Sequence, residues 1–136
     1  MLPFVQNLTL ADGQVMTAAA PVLAGIGNAA GRYNLTFANV GGQEETLLLT
    51  LARNGGPQRR LKRVVLEADE QLEIGGLPLN LSDVLYAQTT DPASVDYTAS
   101  FSGSQAPPTM RVYDNKGGVK TAPYILEQLD SITGNP

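Results

Sequence analysis

Between Arg32 and Phe101 short runs of alternating apolar and polar residues are separated by turn clusters. Tyr33, Leu35 and Phe37 occupy every second position of Arg32–Asn39, which places them on one face of a strand. Leu47, Leu49 and Leu51 repeat that spacing in Glu45–Arg53, with Leu48 among Thr46 and Thr50 on the opposite face. Arg59–Leu66, the short run Gln71–Ile74 and Val84–Thr90 come next. In Val95–Phe101, Val95, Tyr97, Ala99 and Phe101 alternate with Asp96, Thr98 and Ser100. Val84–Thr90 and Val95–Phe101 are predicted to pair as the last two strands of this block. The intervening segments are turns: Val40-Gly41-Gly42-Gln43, Asn54-Gly55-Gly56-Pro57, Glu67-Ala68-Asp69-Glu70, and Gly75–Leu79 bending toward Asp83. Asn54-Gly55 is the strongest hairpin signal, because both residues tolerate positive φ. Close, regular strand spacing of this kind predicts an all-β fold, an antiparallel β-sandwich or jelly-roll-like domain.

The flanks read differently. Residues 1–17 are expected to be an N-terminal arm or an added strand, with Ala11-Asp12-Gly13-Gln14 as a turn. Residues 17–31 are built from small residues, and Pro21 with three glycines argues for an extended segment rather than a helix. Gly25-x-Gly27-x-x-Ala30 has the form of a dinucleotide fingerprint. That fingerprint opens a helix, whereas Arg32–Ala38 alternates as a strand. The sandwich domain is assigned to 18–121, with Met110–Tyr113 and Val119–Thr121 as a further hairpin. Residues 122–136 are expected to form a short C-terminal helix or tail, since Pro123 suits a first helical turn and Ile125, Leu126, Leu129 and Ile132 recur at helical spacing.

Composition narrows the chemistry. A chain of 136 residues is long enough for one domain with one core. It has no Cys and no His, which removes disulfides, thiolate nucleophiles, Ser-His-Asp triads and His or Cys metal ligands. A net charge of −4 is the opposite of what an electrostatic nucleic-acid binder carries. Residues 1–31 hold no Lys or Arg, so the basic start of a secretory signal is missing. No apolar stretch approaches the ~20 residues that span a bilayer. The expectation is therefore a protein without cofactor, nucleic acid or membrane, and not an enzyme.

Arg53, Arg59, Arg60, Lys62 and Arg63 hold five of the nine basic residues. Regular strand alternation puts Arg59 and Arg63 on one face and Arg60 and Lys62 on the other. Glu44, Glu45, Glu67, Asp69 and Glu70 lie in neighbouring turns, so the basic strand reads as edge protection or as a charged subunit interface. A glycosidase needs two carboxyls held across a cleft, whereas the acids here lie mostly in turns or at strand ends. Asp83, Asp91 and Asp96 fit no calcium-loop template. Three Asn-x-Ser/Thr sequons, at Asn7, Asn34 and Asn80, come without a secretory signal.

The block YNLTFANVGGQEETLLLTLARNGG…RRLKRVVLEADEQLEIGGLPLNLSDVLYAQTTDPASVDYTASF resembles a recurrent module of small structural proteins from tailed bacteriophages. The matching residues are Asn39, Gly55, Gly56, Leu66, Glu70, Leu72, Ile74, Gly76, Leu77, Leu79, Asp83, Leu85, Ala87, Thr89, Thr90, Val95, Asp96 and Tyr97, within about residues 18–101. The resemblance implies a β-sandwich in a virion, made in the host bacterial cytoplasm. It further implies a capsid decoration or cement protein that binds the outer surface of the head through the major capsid protein, as a homotrimer. The alternative it implies is a fibre or baseplate module that binds host surface carbohydrate. Contacts with partners are assigned to the apolar ends, Leu2, Phe4 and Val5 and Tyr124, Ile125, Leu126, Leu129 and Ile132, and to the basic strand, Arg59, Arg60, Lys62 and Arg63.

Overall fold

The alternating runs become ten strands in a computed structural model that describes residues 9–24, 32–79, 82–91, 94–102, 109–114, 116 and 118–125. They are β1 (Thr9–Gln14), β2 (Ala20–Ala24), β3 (Arg32–Asn39), β4 (Glu45–Ala52), β5 (Gln58–Leu66), β6 (Gln71–Pro78), β7 (Val84–Thr89), β8 (Val95–Ser102), β9 (Thr109–Tyr113) and β10 (Val119–Ile125). A six-stranded sheet has the order β1-β8-β3-β6-β9-β10, and a four-stranded sheet has the order β2-β7-β4-β5. Every pairing is antiparallel. The inner faces meet in one apolar cluster that includes Tyr33, Leu35, Phe37, Leu47, Leu49, Leu66, Leu72, Ile74, Leu77 and Leu85, none of them measurably exposed. The protein is all-β, two antiparallel sheets packed as a sandwich, as the spacing of its apolar residues predicts.

The pairing is nested. β4 pairs with β5, β3 with β6, β2 with β7 and β1 with β8. The first eight strands therefore form one long antiparallel ribbon folded about the β4–β5 hairpin, and successive strand pairs of that ribbon fall in alternate sheets. This is the jelly-roll arrangement, to which β9 and β10 add a hairpin beside β6. At the ribbon's tip Asn54 (φ 50°) and Gly55 (φ 77°) both take left-handed backbone, the requirement of the two-residue turn that matches strand twist.

Four expectations change. Ala11–Gln14 is strand rather than turn: β1 runs through it against β8, with an irregularity between Thr9 and Ala11. Gly75–Pro78 is not a bend, because β6 continues to Pro78. It does so through a bulge in which Gly75 and Gly76 lie opposite Asn34, whose Oδ1 accepts the Gly76 amide at 3.1 Å. Val84–Thr90 and Val95–Phe101 do not pair; β7 and β8 lie in different sheets, and the chain crosses between them after Thr89. Finally, Pro123, Tyr124 and Ile125 are strand, not the start of a helix, since backbone pairing with β9 prevails over helical spacing there. The rest of the expected C-terminal helix, 126–136, lies outside the described residues, as do 25–31 with their glycine pattern. Among the described residues there is no helix.

Candidate partner-binding surface

The basic strand is β5, at the free edge of the four-stranded sheet. Its ladder with β4 is regular from Leu66 to Lys62, where Lys62 stands opposite Leu49, and then slips so that Arg60 stands opposite Thr50. Leu61 is the extra residue of a β-bulge and packs against the core beside Lys62. Opposed residues of an antiparallel pair share a face. Arg60 thus lies with Thr50, and Arg63 with Leu48, on the outward face, while Arg59 and Lys62 lie with Leu51 and Leu49 on the core side. The grouping expected from simple alternation, Arg59 with Arg63 and Arg60 with Lys62, is overturned by that one inserted residue.

The outward face of the four-stranded sheet also carries Thr46, Leu48 and Thr50 from β4 and Tyr86 and Gln88 from β7, all half-buried. Pro21 of β2 stands opposite Tyr86, and Val65 of β5, 46% exposed, stands opposite Thr46. None of these positions is acidic. Among the described residues no hydrogen bond or ion pair engages the side chain of Arg60 or Arg63. An apolar and aromatic centre beside arginines, without carboxylates, is the composition enriched in protein interfaces.

The loops at one end of the sandwich are of opposite character. Asn39, buried at the end of β3, ties this end together: its Nδ2 donates to Gln43 O (2.8 Å) and Leu66 O (3.0 Å), and its Oδ1 accepts Gly41 N (3.0 Å). The backbone adds Val40 N to Ser94 O (2.8 Å) and Asp69 N to Asn39 O (3.1 Å). Glu70 Oε1 accepts Glu67 N at 2.8 Å and closes the β5–β6 turn. Glu45, only 3% exposed, accepts Thr89 Oγ1 (3.3 Å), Thr90 Oγ1 (2.5 Å) and Asp91 N (3.2 Å). Burial presses the Glu45 carboxyl upward, but the bonds from Thr90, Asp91 and Thr89 outweigh it and hold it below its ordinary value. Asp91 moves the other way, raised by its hydrogen bond to Glu45 and by the like charge there. Exposed around this framework are Glu44, Glu67, Asp69 and Asp91, together with Met16 (57%), Val40 (54%) and Val119 (51%).

At the opposite end Arg53 pairs with buried Asp83, and Asp83 Oδ1 also accepts Asn54 N at 3.0 Å. This locks the ribbon's tip to the segment before β7. A shallow concavity lies at the β1–β8 edge, where Asp12, Gly13, Gln14, Asp96, Tyr97 and Thr98 line an open depression of about 400 Å³. Among the described residues no group of three or more acidic, His or Cys side chains is arranged to hold a metal ion.

The assigned contact residues thus separate. Arg60 and Arg63 share one surface, and Arg59 and Lys62 do not join it. Tyr124 and Ile125 pair through their backbones with Met110 and Thr109, their side chains lying outside the described set. Leu2, Phe4, Val5, Leu126, Leu129 and Ile132 lie outside the described residues. Strand patterning alone does not reveal the acidic, apolar loop end. Its signal is the repeated placement of Glu and Asp in turns after different strands, and only the nesting of those strands brings the turns together. No protein-family model, curated protein or solved structure matches this chain.

Proposed function

We propose that the protein is a virion structural protein that decorates the outer surface of a phage head, binding the major capsid protein and cementing neighbouring capsomers without covalent chemistry. One observation carries the reading: polar residues of the phage-like block occupy the corners of the sandwich. Asn39, Glu70, Asp83, Thr89 and Thr90 each make a side-chain hydrogen bond in a turn or at a strand end. The block's signature is thus the framework of a rigid jelly roll, and rigidity is what a cement needs, because contacts repeated over a shell add through multivalency only if each copy holds its shape. Jelly rolls occur in viral capsids and also in lectins, an analogy at the level of fold alone. The decorating unit in this reading is a homotrimer at three-fold or quasi-three-fold positions of the shell.

The test is co-sedimentation of the purified protein with empty heads assembled from the capsid protein of the same phage, and separately with host cells. Saturable binding to heads, with heads that then resist heat or chelator-induced rupture, is the expected result. Binding to cells and not to heads overturns the reading in favour of a carbohydrate-binding fibre or baseplate module.

A further inference from the structure

We infer that the outward face of the four-stranded sheet is a self-association surface whose occupant is the acidic loop end of a second copy of this chain. The inference rests on the self-association in the proposed function but not on binding to a capsid. Among the described residues the face presents Arg60 and Arg63 and no carboxylate, while the loop end presents Glu44, Glu67, Asp69 and Asp91 against Lys116. In a chain of net charge −4, contact between like regions is repulsive, and this is a pairing of unlike ones.

Among the described residues four large hydrophobic side chains are exposed: Met16, Val40, Val65 and Val119. Val65 is on the arginine face and the other three are at the acidic end, so each surface has apolar area beside charge of one sign. The Leu61 bulge brings Arg60 and Arg63 onto one face, and the bonds of Asn39, Ser94 and Glu45 hold the loop end in place. The backbone that carries each surface is held before contact, which limits the ordering cost to side chains such as Arg60 and Arg63. The two surfaces are different patches of one molecule, so the contact is heterologous and generates a ring when the rotation closes.

Charge exchange tests this. Sedimentation velocity is run at micromolar concentration in low salt on the parent protein, on Arg60→Glu/Arg63→Glu, on Glu44→Lys/Asp91→Lys, and on a single chain that carries all four substitutions, which restores unlike charge at every contact of a ring of any size. The expected result is an oligomer for the parent that dissociates in high salt, monomers for each double variant, and recovery of the parent's mass in the chain that carries all four substitutions. A folded Arg60→Gln/Arg63→Gln variant, checked by circular dichroism, is expected to associate about tenfold more weakly and keeps the test decisive if charge reversal prevents folding. A monomeric parent overturns both the self-association and this inference. An oligomer that survives each double reversal, or a folded chain with all four substitutions that stays monomeric, overturns this assignment of surfaces alone.

Discussion

Arg53 and Asp83, thirty residues apart in the chain, join the hairpin at the tip of the ribbon to the segment that leads into β7. The Asp83 side chain is 3% exposed and that of Arg53 19%, and the Nε and Nη2 of Arg53 are buried with no hydrogen-bond partner among the described residues. Removing Asp83 leaves a largely buried cation and the Asn54 amide unanswered. Asp83→Ala is expected to cost about 3 kcal/mol in urea unfolding, as for other broken buried pairs. Asp83→Asn keeps an acceptor for Asn54 N and is expected to cost less. Equal costs for the two would mean that the ion pair adds nothing to the backbone bond.

Asn39 is the corresponding fastening at the other end. Three hydrogen bonds end on its amide, one of them a fully buried contact with Leu66 O. Asn39→Ala is expected to cost about 2–3 kcal/mol, because buried backbone groups lose their partners and water does not replace them. Asn39→Asp loses the two donated bonds and is expected to be nearly as costly. Denaturant midpoints within experimental error of the parent would show that the corner is held without it.

Gly75 and Gly76 stand side by side in the β6 bulge but are not equivalent. Gly76 has φ 72°, a conformation an L side chain adopts at a cost, whereas a Cβ on Gly75 would meet Thr109 Oγ1 at an ordinary 3.4 Å. Gly76→Ala is expected to destabilise by about 1–2 kcal/mol and Gly75→Ala by much less. The comparison is made by thermal unfolding of both variants, and the same loss in each would mean that φ is not the cause.

Where burial has a period of two, the sequence is readable. Tyr33, Leu35, Phe37, Leu47, Leu49 and Leu51 face the core as their spacing says, and Asn54-Gly55 turns the chain where its φ preferences say. The inward and outward assignment of the arginines is not readable, since the inserted Leu61 is an ordinary strand residue and its effect exists only in the register with β4. Nor is the crossing between sheets after Thr89, which is stabilised by tertiary bonds: Glu45 to Thr90 and Asp91, and Val40 N to Ser94 O. Ile125 carries a helical spacing with Leu129, yet its backbone pairs with Thr109. Strand preference is set by such partners more than by the residue.

Glu45 and Asp91 give stability a pH dependence of two opposed parts. Glu45 is held below its ordinary value, so its contribution to stability is present above that value and is lost as pH falls through the lowered one. Asp91 is raised, so its contribution has the opposite sense: it is present below the ordinary value and is lost as pH rises through the raised one. The like charge of Glu45 thus works against ionisation of the exposed Asp91 carboxyl. Asp91→Asn removes that repulsion and is expected to be more stable than the parent at pH 7, with the advantage closing as pH falls below about 4, where Asp91 is protonated in either state. Glu45→Gln is expected to be less stable than the parent at pH 7, with the deficit shrinking in acid. Urea unfolding of the three proteins between about pH 3 and 7 reads both slopes. An advantage for Asp91→Asn that persists unchanged in acid would trace to packing in the turn, and would remove the carboxyl pair as the source of the pH dependence.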